Sequence, residues 1–274
     1  MSTVPQSLPI GVFDSGVGGL TVLRALREAL PNESFLYLGD TARLPYGTKS
    51  SNTVERYAKQ SAQVLVERGV KLLVIACNTV SAVAVETLRD RFGPLPVVGV
   101  VEPGAEAACG ATSSGHILIT GTEGTVRGGA YERAIKRRRP EAVVLGQPCP
   151  LFVALAEEAW TQGDVPQLAA RRYLAPHLAS DPALDTVVLG CTHFPVLAGV
   201  VQQVVGPEVT VVDSAMTTAS AVRSLLQELG LSSPSREPGK LALLATDDAE
   251  RFARVGSGFL ATTLHAEDVE LVDL

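Results

Sequence analysis

A basic excess is missing from this sequence. Its 23 Lys and Arg face 29 Asp and Glu, for a net charge of −6, so the basic surface that a general nucleic-acid binder needs is absent. The one basic run, Lys136–Arg139, reads as a solvated helix end that complements the helix dipole. Nowhere do about 18 apolar residues run together, so no membrane span is expected. The first 13 residues lack the basic stretch and long apolar run of a secretory leader. Together these absences give the expectation of a soluble, cytoplasmic protein.

Cysteine is also scarce. The four cysteines, Cys77, Cys109, Cys149 and Cys191, are widely spaced and form no C-x-x-C pair. That excludes the usual zinc and thioredoxin-type patterns, and no metal site is expected. A secreted disulfide framework does not fit a chain of 274 residues. Two phosphate-binding signatures fail as well. Gly16-x-Gly18 leads to Thr21, where a dinucleotide fingerprint needs glycine, and no Gly-Lys-Ser/Thr follows. A cysteine phosphatase loop would carry arginine six places after the cysteine, but Val83 and Leu197 stand there.

What is present centres on Leu72–Val83, LLVIACNTVSAV. An apolar, strand-like run stops at Cys77, and polar Asn78 and Thr79 precede an Ala/Val-rich stretch that reads as helix. This places the thiol at the carboxyl end of a strand, where ligands bind in open α/β sheets. The neighbouring helix N-terminus favours a thiolate. Thr186–Leu197, TVVLGCTHFPVL, repeats the plan with Cys191, Thr192 and His193. A single cysteine at a strand end is ordinarily a small core residue. Two in matching settings, each followed by polar residues, read instead as two half-sites facing each other.

The remaining pattern supports that arrangement. Strand-like runs at 9–13, 34–38, 71–76, 96–100, 116–121, 142–145, 186–190, 209–213, 241–246 and 269–272 alternate with helical stretches. This predicts an α/β fold of two similar lobes, each a mainly parallel sheet flanked by helices, with the site in the cleft between them. Asn52 with Glu55 reads as a capping box. Glu102-Pro103-Gly104 reads as a crossing between lobes, and a helix is expected directly after Cys191. Asp14, at the end of the first strand, has two open readings: a helix cap, or a group that binds an ammonium or assists a proton transfer.

Two opposed thiols suit one kind of chemistry. One removes a proton from a carbon acid while the other delivers a proton to the opposite face, inverting the centre. Each thiol must ionise in turn, so each needs a pKa near ambient pH. Asp14 and His193 are placed in sequence to relay or stabilise charge at the two thiols.

The motifs Gly11–Gly19 (GVFDSGVGG), Gly39–Ser50 (GDTARLPYGTKS), Ala76–Ala82 (ACNTVSA), Gly121–Thr125 (GTEGT), Pro150–Glu157 (PLFVALAE) and Gly190–Leu197 (GCTHFPVL) occur in an order and spacing that resembles the cofactor-independent glutamate racemases. The resemblance implies catalysis by Cys77 on D-glutamate and Cys191 on L-glutamate, assisted by Asp14, His193 and Glu157. It further implies substrate contacts from Asp14, Ser15, Tyr46, Gly47, Asn78, Thr79, Thr125, Thr192 and His193. It implies no cofactor, a homodimer, and supply of D-glutamate for peptidoglycan. The family plan puts residues 1–99 and 213–274 in one lobe and 100–212 in the other. The rival expectations are an aspartate or hydantoin racemase with the same cleft, and a two-lobed binding protein that closes on an acidic ligand without chemistry.

Overall fold

The computed structural model describes residues 5–274. Residues 1–4, part of the stretch that lacks a leader pattern, lie outside the described residues. Two sheets organise the chain, one of six strands and one of four. The first holds β1 (Ile10–Asp14), β2 (Phe35–Gly39), β3 (Leu72–Ile75) and β4 (Val97–Gly99), joined late in the chain by β9 (Leu241–Ala245) and β10 (Val269–Leu271). Its order is β10-β9-β2-β1-β3-β4. The second holds β5 (His116–Gly121), β6 (Val143–Pro148), β7 (Thr186–Gly190) and β8 (Thr210–Asp213), in the order β6-β5-β7-β8. Every pairing is parallel.

Parallel sheets covered on both faces need strands that are apolar throughout. β1, β2, β3 and β7 are buried at every residue, which explains why they read as unbroken apolar runs. Helices α1 (Leu20–Ala29), α2 (Ser51–Glu67), α3 (Asn78–Phe92) and α4 (Val101–Ala111) follow the first four strands in turn. The second sheet carries α5 (Glu123–Gly128), α6 (Ala130–Arg138), α7 (Pro150–Glu157), α8 (Asp164–Ser180) and α9 (Ala198–Val205). Then α10 (Ser214–Glu228) runs against α1 and α4, and α11 (Ala249–Leu260) links β9 to β10. On α1, Leu20, Leu23 and Leu26 are fully buried, each stabilising the fold by about 1.5–3 kcal/mol.

Local chemistry departs from the sequence reading in three places. Ser50, not Asn52, caps α2, accepting from the Thr53 N–H. Glu102-Pro103-Gly104 lies where the chain passes from the six-stranded to the four-stranded sheet, in the first turn of α4, where proline costs no hydrogen bond. The helical stretch after Thr122 splits into α5 and α6 at Gly129, whose φ of +61° suits glycine. Cys191 is followed by a turn and a 3-10 segment, Phe194–Leu197, before α9 begins at Ala198. The second cysteine therefore lacks the α-helix N-terminus that the first has.

Among the described residues no helix is long and apolar enough to cross a membrane.

Candidate active site

The carboxyl ends of both sheets open onto one cavity of about 420 Å³. Cys77 reaches it from the end of β3 and Cys191 from the end of β7. Parallel strands bring all their carboxyl ends to one edge, so a few short loops supply the whole wall. Of the residues singled out in the sequence, Ser15, Tyr46, Gly47, Cys77, Asn78, Thr79, Glu157, Cys191, Thr192 and His193 line it. Asp14 and Thr125 stand one layer behind. Asp14 is fully buried and accepts from the Gly16 N–H at 2.9 Å. Helix α1 begins at Leu20 with no side-chain cap, so Asp14 does not cap it. Thr125 lies 3.3 Å from the Thr79 hydroxyl.

The two thiols have different company. Ser15 Oγ lies 3.3 Å from Cys77 Sγ. Cys77 also occupies the N-cap position of α3. Burial nevertheless pushes its thiol up to about 12, and the nearby Asp14 charge adds to this. The expectation of a Cys77 pKa near ambient pH is therefore not met. Cys191 Sγ lies 3.8 Å from His193 Nδ1, and His193 Nε2 lies 3.1 Å from Glu157 Oε1. Burial alone would lower the imidazole, but its hydrogen bonds to Cys191 and Glu157 raise it to about 10. These contacts thus favour the imidazolium form of His193. The same contact holds the Glu157 carboxyl below its usual range. Burial raises Asp14, opposed by the His193 charge.

Polar contacts close the lobes around the cavity. Thr21 Oγ1 donates to the Thr192 carbonyl at 2.8 Å, and the Gly124 N–H donates to the Gly47 carbonyl at 2.8 Å. The Thr79 and Thr122 hydroxyls lie 2.9 Å apart. Gly18 permits the approach, because a Cβ there would overlap the His193 ring. Tyr131 on α6 donates to Asn78 Oδ1 at 2.7 Å, which leaves Asn78 Nδ2 buried without a partner. It is the one such buried side-chain donor among the described residues. A buried donor left unpaired costs about 1–3 kcal/mol, and this one stands in the cavity wall.

The Asp/Glu/Hydantoin racemase family model matches residues 10–222. The chain belongs to that family. The glutamate racemase of Geobacter metallireducens is 51% identical over 255 residues, covering 93% of each chain. A glutamate racemase from Francisella tularensis, solved in complex with D-glutamate, superposes with a TM-score of 0.89 at 34% identity and covers 98% of both chains. The Thermus thermophilus glutamate racemase, solved with beta-chloro-D-alanine, gives 0.88 at 42% identity, again over 98% of both chains.

Sequence reasoning missed part of this racemase-family cavity. Thr122, Glu123 and Arg251 also line it. Thr122 was within reach, since it stands inside the Gly121–Thr125 motif. Arg251 had no local signal at all: its Nη2 donates to Glu157 Oε2 at 2.8 Å from 94 positions away. Among the described residues no group of three or more His, Cys, Asp or Glu is arranged to hold a metal ion.

Proposed function

We propose that the chain interconverts L- and D-glutamate by proton transfer between two opposed thiols. The observation that carries this reading is that Cys77 and Cys191, from the carboxyl ends of two separate sheets, enter one cavity. In the D-to-L direction the Cys77 thiolate takes the α-proton, the electron pair stays on the α-carbon, and Cys191 delivers its own proton to the other face. The reverse direction exchanges the roles. Asp14 and Ser15 serve Cys77, while His193 and Glu157 serve Cys191. Asn78 Nδ2, with the Thr79 and Thr192 hydroxyls and the first N–H groups of α3, holds the carboxylates. These donors also stabilise negative charge as it develops beside the α-carbon, which lowers the barrier. Tyr46, Gly47 and Thr125 complete or support the same wall.

The raised Cys77 pKa fits a thiol that is ionised only when substrate is bound. The glutamate ammonium brings positive charge beside it, which favours the thiolate. Asp14, held upward by burial, is suited to accept that proton.

The working units are 1–99 with 213–274, and 100–212, which close on the substrate as a cytoplasmic homodimer. The product D-glutamate supplies peptidoglycan synthesis. The relatives named glutamate racemase support the substrate. The test is purified protein with L-glutamate and no added cofactor, followed by circular dichroism, with L-aspartate alongside. Loss of signal with glutamate supports the reading. Turnover of aspartate alone would replace the substrate, and no turnover from folded, reduced protein would overturn the reaction.

A further inference from the structure

We infer that Arg251 is a positioning residue for proton transfer at Cys191, holding Glu157 on His193 only while the two lobes are closed; the inference rests on the two-thiol reading above. Arg251 belongs to α11, between strands of the six-stranded sheet, and Glu157 belongs to α7 of the four-stranded side. Their 2.8 Å contact therefore spans the mouth of the cleft. Each Glu157 oxygen has its own partner, Oε2 taking Arg251 and Oε1 facing His193 at 3.1 Å. The carboxylate is thereby fixed in rotation as well as in place. His193 in turn faces Cys191 Sγ at 3.8 Å.

Neither charge suits its own helix. Glu157 is the last residue of α7 and Arg251 lies in the first turn of α11. An anion at a helix C-terminus and a cation at an N-terminus both oppose the dipole. Helix stability therefore accounts for neither residue, whereas pairing across the cleft accounts for both. Among the described residues, Arg251 is also the one Lys or Arg in the cavity wall. The Cys77 thiol finds its contact within one lobe. Its closest partner, Ser15, follows β1 in the same sheet as β3, so it stays in place whether or not the lobes meet. The Cys191 thiol reaches the opposite lobe through His193, Glu157 and Arg251.

The test compares Arg251→Ala and Arg251→Lys with wild type, using glutamate deuterated at Cα. The enantiomers have equal free energy, so kcat/KM must fall equally in both directions. The primary isotope effect is free to differ. Arg251→Ala should lower kcat by up to about 10²-fold, the scale of a misplaced catalytic group. Its isotope effect should rise with L-glutamate, where Cys191 removes the proton, and not with D-glutamate. Arg251→Lys should restore most of kcat. A rise in KM alone, or isotope effects that change equally for both enantiomers, would overturn the assignment. Arg251 is substantially exposed, so the variants should fold, which thermal unfolding checks. Wild-type protein that leaves glutamate optically unchanged would bring down the functional reading, and this inference with it. Wild-type turnover with an unaltered Arg251→Ala would bring down this inference alone.

Discussion

His193 faces Glu157 through Nε2, 3.1 Å from Oε1, so the imidazole beside Cys191 is tied to a carboxylate. Nothing equivalent stands beside Cys77, whose Sγ meets the hydroxyl of Ser15 at 3.3 Å. The two halves of the cavity thus present a thiol with an imidazolium and a thiol over a buried acid. Racemisation is symmetric in its energetics, but the protein groups that serve its two faces are not.

The tie should be visible in stability. His193 is raised from 6.5 to about 10, so the native state favours the imidazolium. Its contribution is fully present below 6.5 and is lost as pH rises through about 10. Chemical denaturation of wild type and His193→Gln on both sides of that window checks this. The advantage of wild type should shrink toward alkaline pH, and a constant difference would contradict the assignment.

Asp14 should cost stability in exchange for activity. Its folded pKa is raised by burial, so the protonated form is favoured and stability falls as pH climbs above 3.8 through the folded value. Asp14→Asn keeps an acceptor for the Gly16 N–H without the charge. It should stabilise the neutral-pH protein by about 1 kcal/mol while racemisation drops by about 10²–10⁴-fold. Destabilisation would mean that the carboxylate anchors the Gly16–Gly19 turn instead.

Tyr131 fixes the amide of Asn78 from the opposite lobe, at 2.7 Å. Removing that hydroxyl frees the amide to turn its donor away from the cavity. A hydrogen bond of this kind contributes about 1 kcal/mol, or roughly five-fold in affinity. Tyr131→Phe should therefore raise KM by about that factor with kcat little changed, as steady-state kinetics would record.

Much of this was legible before the fold was known. The apolar runs that became β1, β3 and β7 mark buried parallel strands, and residues such as Cys77 and Asn78 stand out because polarity begins where the strand ends. What stayed hidden depends on distant pairing. Arg251 looks like any exposed arginine until β9 pairs with β2 and carries α11 to the cleft. The division of labour between Thr122 and Thr125 is set by a helix cap, since the Thr122 hydroxyl accepts from the Thr125 N–H. The turn after Cys191 was misread because Pro195 suits a 3-10 segment as well as a first helical turn.

The central claim is that two thiols act on opposite faces, and deuterated buffer tests it most directly. D-glutamate would be incubated with the protein and sampled at early conversion, and the α-position of product and remaining substrate read by NMR. Two opposed thiols predict deuterium in the L-glutamate formed, delivered by Cys191, with the unreacted D-glutamate still carrying its original hydrogen. Deuterium in both enantiomers at equal rate, or the original hydrogen carried into the product, would mean a single base and contradict the account.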